Sequence, residues 1–132
     1  MHVRRIRSAT DVEQLRLLRN EARKYMTGVT KKIGKAAQKK WWAETARRAY
    51  LLVDGQGKAL GFVYIKWDDH RNWITLGVTE DARGQGYGTL LYHSFKPCWA
   101  RIRVDNEASI TAAKRAGYIE TERDDHTVVM KG

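Results

Sequence analysis

The chain has 132 residues, of which 42% are hydrophobic, and this length and composition suit one compact domain. Its 25 Lys and Arg residues outnumber its 15 Asp and Glu residues, so the formal net charge is +10 at pH 7. A field of that sign attracts polyanions, but it does not choose among phosphorylated compounds, acidic proteins and nucleic acid. The single cysteine, Cys98, excludes an internal disulfide, and the four scattered histidines lack metal-ligand spacing. We expect no metal site.

No apolar run approaches the length that spans a membrane, and residues 1–5 lack the hydrophobic segment of a signal peptide. These features predict a cytoplasmic protein that does not contact a membrane.

The first half of the chain is predicted to contain a strand, two helices and a hairpin. Ser8 or Thr10 can cap the first helix, which carries apolar residues at helical spacing. The second helix is expected to turn Ala37 and Trp41 inward. Residues 54–57 read Asp-Gly-Gln-Gly, which is typical of a hairpin turn. The elements are a strand at 3–7, helices at 8–26 and 34–48, and strands at 50–53 and 60–67.

The second half alternates strands and helices. A strand is predicted at 73–78, a helix from the glycine-rich segment to just before Pro97, a strand at 101–104, a helix at 106–116, and a hairpin at 118–123 and 127–130. The resulting order β-α-α-β-β-β-α-β-α-β-β predicts a mixed α/β sheet flanked by helices.

The most informative stretch is residues 78–91, which read VTEDARGQGYGTLL. A strand ends at Val78, three glycines follow at positions 84, 86 and 88, and a helix then begins. Such a junction directs free N–H groups and the positive end of a helix dipole at one place, where phosphates bind. Arg83 adds a cation. The spacing is neither a Rossmann fingerprint nor a P-loop, and a flexible turn before an ordinary helix is the alternative.

A second segment favours the anion site over the flexible turn. Residues 106–118 contain Asn106, Ser109 and the run Ala116-Gly117-Tyr118. Together with Arg83-x-x-Gly86-x-Gly88, this N-x-x-S…A-G-Y pattern resembles the two central motifs of the GNAT superfamily of acetyl-coenzyme A-dependent N-acetyltransferases. The resemblance implies one GNAT-like domain over residues 1–132. It also implies an α/β fold: a mixed, mostly antiparallel sheet with a central splayed parallel strand pair, flanked by helices.

The resemblance also implies a cofactor site for acetyl-CoA (coenzyme A). The main chain of Leu76, Gly77 and Val78 would pair with the pantetheine arm, and the Val78 N–H would donate to the thioester oxygen. Gly77 either permits this close approach or fills a packing gap beneath a tryptophan. The residues expected around the pyrophosphate are Arg83, Gly84, Gln85, Gly86, Tyr87, Gly88 and Thr89.

Three further positions come from the second motif. Asn106 either caps its helix or, as the resemblance implies, also binds the cofactor, which makes it a catalytic candidate together with Val78 and Ser109. Ser109 either faces the cofactor or closes the cap. Lys114 or Arg115 either meets the ribose phosphate or is solvated.

The chain departs from the family at the proton-transfer groups. Many members carry a tyrosine where this chain has Ala113, and others carry a carboxylate where residues 101–103 read Arg-Ile-Arg. Holding amine and thioester together still accounts for much of the rate. Asp68, Asp69 and His70 are candidate bases, with a solvated turn as the alternative.

The sequence says less about the residues that would bind the amine acceptor. Residues 19–27 and 38–42 loosely resemble members that acetylate nucleotide-linked amino sugars or ribosomal-protein N-termini. The weak substrate-binding candidates are Tyr25, Trp42, Asp68 and His70.

We therefore predict an acyltransferase that moves an acetyl group from acetyl-CoA to a primary amine of a small-molecule or protein acceptor by direct attack. The acceptor is expected to be phosphorylated or acidic, and the protein to be a monomer or homodimer. The alternative is a catalytically weak basic module of the same fold that binds nucleic acid or another polyanion.

Overall fold

The computed structural model describes residues 1–23, 32–44 and 48–132, with the side chains of residues 42–44 left out. Two of the predicted acceptor residues, Tyr25 and the side chain of Trp42, therefore lie outside the described residues, as does Met26 at the predicted end of the first helix.

Seven strands form one sheet in the order β1-β2-β3-β4-β5-β7-β6. Every neighbouring pair is antiparallel except β4 and β5, which run parallel near the centre. This arrangement confirms the predicted fold class, including the central parallel pair. The strands are β1 (His2–Arg5), β2 (Ala49–Val53), β3 (Ala59–Asp68), β4 (Arg71–Val78), β5 (Trp99–Arg103), β6 (Ile119–Arg123) and β7 (Thr127–Lys131).

Among the described residues, four α-helices accompany the sheet, and a 3-10 turn (Glu80–Ala82) follows β4. Of the two predicted caps for the first helix, Ser8 is the one used: its Oγ accepts a hydrogen bond from the Asp11 N–H at 3.1 Å. Within the described ranges, no helix has the length and apolar character needed to cross a membrane. The helices are α1 (Ala9–Ala22), α2 (Lys35–Glu44), α3 (Tyr87–Ser94) and α4 (Glu107–Arg115).

The two faces of the sheet carry separate cores. Because side chains alternate along a strand, Val63 and Ile65 of β3 point to one face while Phe62 and Tyr64 point to the other. The first face meets Leu91 of α3 in the larger core, and it extends across β4, β5 and β7. The second face meets α1 in the smaller core, which draws its strand residues from β2 and β3. The smaller core therefore does not extend over the second face of β5, β6 and β7.

Helix α2 is rotated relative to the prediction. Ala37 was expected to face inward and is exposed, whereas the next residue, Gln38, is buried. The reason is a buried cation on α1: the Arg19 guanidinium stacks 3.9 Å from the Trp41 ring centre and donates to Gln38 Oε1 at 2.6 Å. Burial lowers the pKa of Arg19, and a buried donor without an acceptor is costly. Giving Arg19 a hydrogen-bond acceptor stabilises the fold more than burying the small Ala37 side chain would.

Candidate functional site

A cleft of about 600 Å³ opens where β4 and β5 diverge. Strand β4 pairs with β3 at eight positions, from Asp68 opposite Arg71 to Gly61 opposite Val78. With β5 it pairs at one position, Trp73 opposite Trp99, near the start of both strands. One edge of β4 is thus hydrogen-bonded along its length, and the other is open towards its carboxyl end.

The backbone of Val78 faces this open edge. The Thr79 N–H donates to the Leu60 carbonyl of the β3 segment at 2.9 Å. Since successive residues of a strand present their backbone groups to opposite edges, the groups of Val78 and Leu76 are directed into the cleft. Arg83 Nε donates to the Val78 carbonyl at 3.3 Å from that side. Val78 therefore presents an N–H donor to the cleft.

Gly77 lines the same cleft, but its need for glycine comes from the opposite face of the sheet. A Cβ there would lie 2.6 Å from Phe62 Cε1 and 3.2 Å from the Ala22 Cβ. The β3–β4 ladder passes through Gly77 without a bulge. The packing alternative considered above thus has a structural basis, with a phenylalanine rather than a tryptophan filling the space.

The glycine-rich loop supplies the floor of the cleft at its carboxyl end. Gly84 and Gly86 have left-handed backbones, with φ of +77° and +83°, which glycine adopts without strain. Gly86 is the N-cap residue of α3 and offers no side-chain cap, and the first helical bond runs from the Leu90 N–H to the Gly86 carbonyl at 3.0 Å. The first-turn residues Tyr87, Gly88 and Thr89 line the cleft. Their N–H groups form a site suited to an anion.

Gln85 is placed differently from its neighbours. It is not part of the described cleft lining, and its Nε2 donates to the Asp81 carbonyl at 3.4 Å. Its Oε1 accepts from the Tyr87 hydroxyl at 3.3 Å. The Gln85 side chain therefore forms hydrogen bonds within the loop and does not line the cleft.

Helix α4 forms the opposite wall. Asn106 Oδ1 accepts from the Ser109 N–H at 3.3 Å, so Asn106 is a cap, and both residues line the cleft. Ser109 Oγ lies 2.6 Å from the Tyr92 hydroxyl of α3. Near the end of α4, Arg115 lines the cleft and the exposed Lys114 does not.

Tyr92 is one of the cleft residues that sequence reasoning missed, together with Asp105 and Glu107. It lines the cleft, and burial raises the pKa of its hydroxyl to about 12, although the Ser109 hydrogen bond lowers it in part. Ala113, at the position of the tyrosine that many family members carry, is fully buried. Helical spacing places Tyr92 in the core, but no local pattern indicates its partner on α4.

The charge at the cleft is mixed. Arg83 and Arg115 lie on its lining, as do the carboxylates of Asp105 and Glu107. Asp105 is paired with Arg103 at 2.7 Å, which offsets its charge. Arg83 and the N-terminus of α3 lie at the loop end of the cleft, so that end suits an anionic group best.

The predicted bases do not reach this cleft. Asp68 ends β3, and Asp69 and His70 form the β3–β4 turn with left-handed φ values of +49° and +58°. That turn precedes β4, about 25 Å of extended strand away from Val78. In the part of the chain that the structure describes, no group of three or more His, Cys, Asp or Glu residues is arranged to hold a metal ion.

Solved structures of similar fold span nearly the whole chain. A GNAT superfamily phosphinothricin acetyltransferase from Sinorhizobium meliloti, in complex with AcCoA, superposes with a TM-score of 0.80 at 16% identity, over 99% of this chain and 86% of that one. Spermidine N-acetyltransferase from Vibrio cholerae, in complex with CoA and spermine, gives 0.76 at 14% identity, over 98% and 92%. A domain from Methanocaldococcus jannaschii gives 0.77 at 17% identity, over 98% and 96%.

At these identities the likeness concerns the fold, and the loose resemblance to amino-sugar and ribosomal-protein acetyltransferases stays a prediction. No curated protein sequence matches the chain. The family model described as "Acetyltransferase (GNAT) family" matches residues 15–118, which include β4, the glycine loop and α4. The splayed strand pair and the glycine loop lie within that match, and the chain belongs to the GNAT acetyltransferase family.

Proposed function

We propose that this protein transfers an acetyl group from acetyl-CoA to a primary amine by direct attack of the amine on the thioester. The observation that carries the proposal is the open edge of β4, which offers the Val78 N–H beside a loop built for an anion. The GNAT-fold structures in complex with AcCoA and with CoA support it.

The residues of the cleft fit the parts of acetyl-CoA. The left-handed Gly84 and Gly86 and the uncapped first turn of α3 suit a pyrophosphate, with Arg83 beside them. The free edge of β4 suits the amide groups of a pantetheine arm, which would bond to it as an added strand does. Arg115 lines the cleft and Lys114 does not, which supports Arg115 as the α4 cation that would meet a ribose phosphate.

Bound in this way, the thioester supplies an activated acyl group. The amine nitrogen forms the new C–N bond, the C–S bond breaks, and sulfur leaves as a thiolate. The Val78 N–H, directed into the cleft, can donate to the carbonyl oxygen as negative charge develops on it. Removing one such donor typically costs about 2.7–4 kcal/mol of transition-state stabilisation.

The hydroxyl pair of Tyr92 and Ser109 can assist the departing sulfur. Two hydroxyls joined by one hydrogen bond of 2.6 Å use one hydrogen between them, so the other remains to donate to a further acceptor. With a pKa of about 12, Tyr92 stays protonated at neutral pH. We infer that this pair takes the place of the tyrosine that Ala113 replaces. The amine's own proton leaves to water.

The test combines ligand stabilisation with turnover. Acetyl-CoA at one hundred times its Kd stabilises the folded state by about 2.7 kcal/mol, which raises the melting temperature by several degrees. Arg83→Glu should abolish that rise, because it places a carboxylate at the phosphate end of the cleft. Arg7→Glu, the same charge change at an exposed position beyond β1, is the matched control and should keep it.

Turnover is measured as release of free thiol from acetyl-CoA with a panel of primary amines. Thiol release that depends on the amine, and that Arg83→Glu lowers, supports acetyl transfer. Equal melting temperatures with and without excess acetyl-CoA would overturn the cofactor assignment. Binding without thiol release across the panel would instead favour the catalytically weak module.

A further inference from the structure

A basic and aromatic surface lies outside the cleft. We define the Trp–Arg face as Arg71, Trp73, Trp99, Arg101 and Lys131, which lie on β4, β5 and β7. Their neighbours Ile74, Ala100 and Met130 point into the larger core, so the side chains of the Trp–Arg face point to the opposite side of the sheet.

Among the described helices, α1 reaches β4 at Gly77, four positions beyond Trp73, and contributes no core residue at the Trp–Arg face. The smaller core, which α1 covers, takes strand residues from β2 and β3 but none from β5, β6 or β7. Arg101 and Lys131 are exposed, and Trp73 and Trp99 are partly exposed. Large aromatic side chains at a solvated sheet face are a feature that stability alone does not require.

The cations of this face are held over the rings. Arg71 Cζ lies 3.9 Å from the Trp99 ring centre, and Arg101 Cζ lies 4.6 Å from that of Trp73. Lys131 Nζ lies 5.5 Å from the Trp99 ring, and the two ring centres are 6.1 Å apart. Among the described residues, these three cations form no ion pair with a carboxylate. In the described part of the chain, no carboxylate therefore neutralises these three cations.

The local charge favours an anionic partner. Lys66, opposite Trp73, adds a fourth cation, while Asp68, opposite Arg71, supplies one carboxylate, so the net charge is four minus one, or +3. Glu122, opposite Val129 on the edge strand, is a further carboxylate on this side and lies two strands away from Arg101.

The combination of rings and cations distinguishes the partner. An acidic protein would use the cations but not the indole planes, and a duplex keeps its bases stacked inside. Single strands expose bases that stack on guanidinium planes, such as those of Arg71 and Arg101, and on the exposed parts of the two indole rings, while their phosphates meet Arg and Lys. We propose that the Trp–Arg face binds single-stranded nucleic acid. This site is separate from the acetyl-transfer cleft and does not depend on it.

The experiment measures the anisotropy of a fluorescently labelled single-stranded oligonucleotide of about ten nucleotides, as RNA and as DNA, with saturating acetyl-CoA to fill the cleft. The Arg101→Ala/Lys131→Ala double variant should bind at least about tenfold more weakly. The slope of the logarithm of the binding constant against the logarithm of the salt concentration should be shallower by about 1.4, because two phosphate contacts are lost. The matched control, Lys39→Ala/Lys40→Ala, removes two exposed cations from α2 and should bind as the wild type does.

The rings are tested separately. Trp73→Leu should weaken binding about fivefold to hundredfold, the effect of one lost stacking contact, at a melting temperature near that of the wild type. If that variant is unstable, photo-crosslinking of a 5-bromouridine oligonucleotide to the wild-type protein replaces it, with Trp73 or Trp99 as the expected adduct. Equal losses in the α2 control, cross-links confined to other elements, or a duplex or heparin bound as tightly as the single strand would overturn the proposal.

Discussion

The two edges of β4 are built from the same eight residues and behave in opposite ways. On the β3 side every residue from Arg71 to Val78 has a partner. On the β5 side the ladder holds at Trp73 and Trp99, where the rings and Arg71 pack against one another, and then opens. Hydrogen bonds along one edge are therefore enough to hold β4 in the sheet, and the other edge is left open. The hydrogen bonds between β3 and β4 offset the stability that is lost where β4 and β5 do not pair.

A pair of proline substitutions tests this difference most severely. Gly77→Pro removes an N–H that faces β3, so it should cost at least about 3 kcal/mol more than Gly77→Ala, which adds the same Cβ against Phe62 but keeps the N–H. Val78→Pro removes an N–H that faces the cleft, and should cost about 1–2 kcal/mol while it abolishes the acetyl-CoA-dependent rise in melting temperature. Urea unfolding and thermal scans measure both. Equal destabilisation by the two prolines would show that the edges do not differ.

A methyl group on the paired edge should have the next largest effect. A Cβ on Gly61 would lie 2.6 Å from the Gly77 carbonyl oxygen, a backbone atom that cannot turn away. Gly61→Ala should therefore destabilise the protein by about 1–3 kcal/mol in urea unfolding. Gly55→Ala is the control, because nothing lies within 4 Å of its added Cβ, and should change stability by less than about 0.5 kcal/mol. A neutral Gly61→Ala would mean that the β3–β4 ladder is looser than the structure shows.

The smallest expected effect concerns the wall opposite the open edge. Tyr92→Phe removes the hydrogen bond to Ser109 and should cost about 1 kcal/mol at neutral pH. Ser109→Ala added to it should cost little more, since the pair shares one bond. Tyr87→Phe, whose hydroxyl bonds to exposed Gln85, is the control.

The same variant has a pH signature. Burial raises the pKa of Tyr92 from 10.0 to about 12, so the folded state holds the proton more tightly than the unfolded state does. Its contribution to stability is full below pH 10 and is lost as pH rises towards 12. The Phe variant should lack this part of the alkaline loss in unfolding free energy. Parallel pH profiles for the two proteins would contradict the raised pKa.

Much of the architecture was predictable because its signals are local. The element order, the Ser8 and Asn106 caps and the glycine turn all depend on residues within four positions of one another. The prediction was wrong at Ala37, where the buried Arg19 selects Gln38 as its partner from another helix. That choice depends on a contact between residues 19 positions apart, which helical spacing does not contain.

The amino-acid sequence alone established the charge, the order of the strands and helices, the glycine loop and the family resemblance, since propensity, capping and glycine conformation act over a few residues. Tertiary contacts were needed to show that the expected parallel pair, β4 and β5, is joined at Trp73 and Trp99 and opens beyond them, that Tyr92 of α3 meets Ser109 of α4, and that Trp73 and Trp99 share a surface with three cations. The physical reason is that strand pairing and side-chain contact between distant segments follow from how the two cores fill, and no short stretch of the chain encodes that outcome.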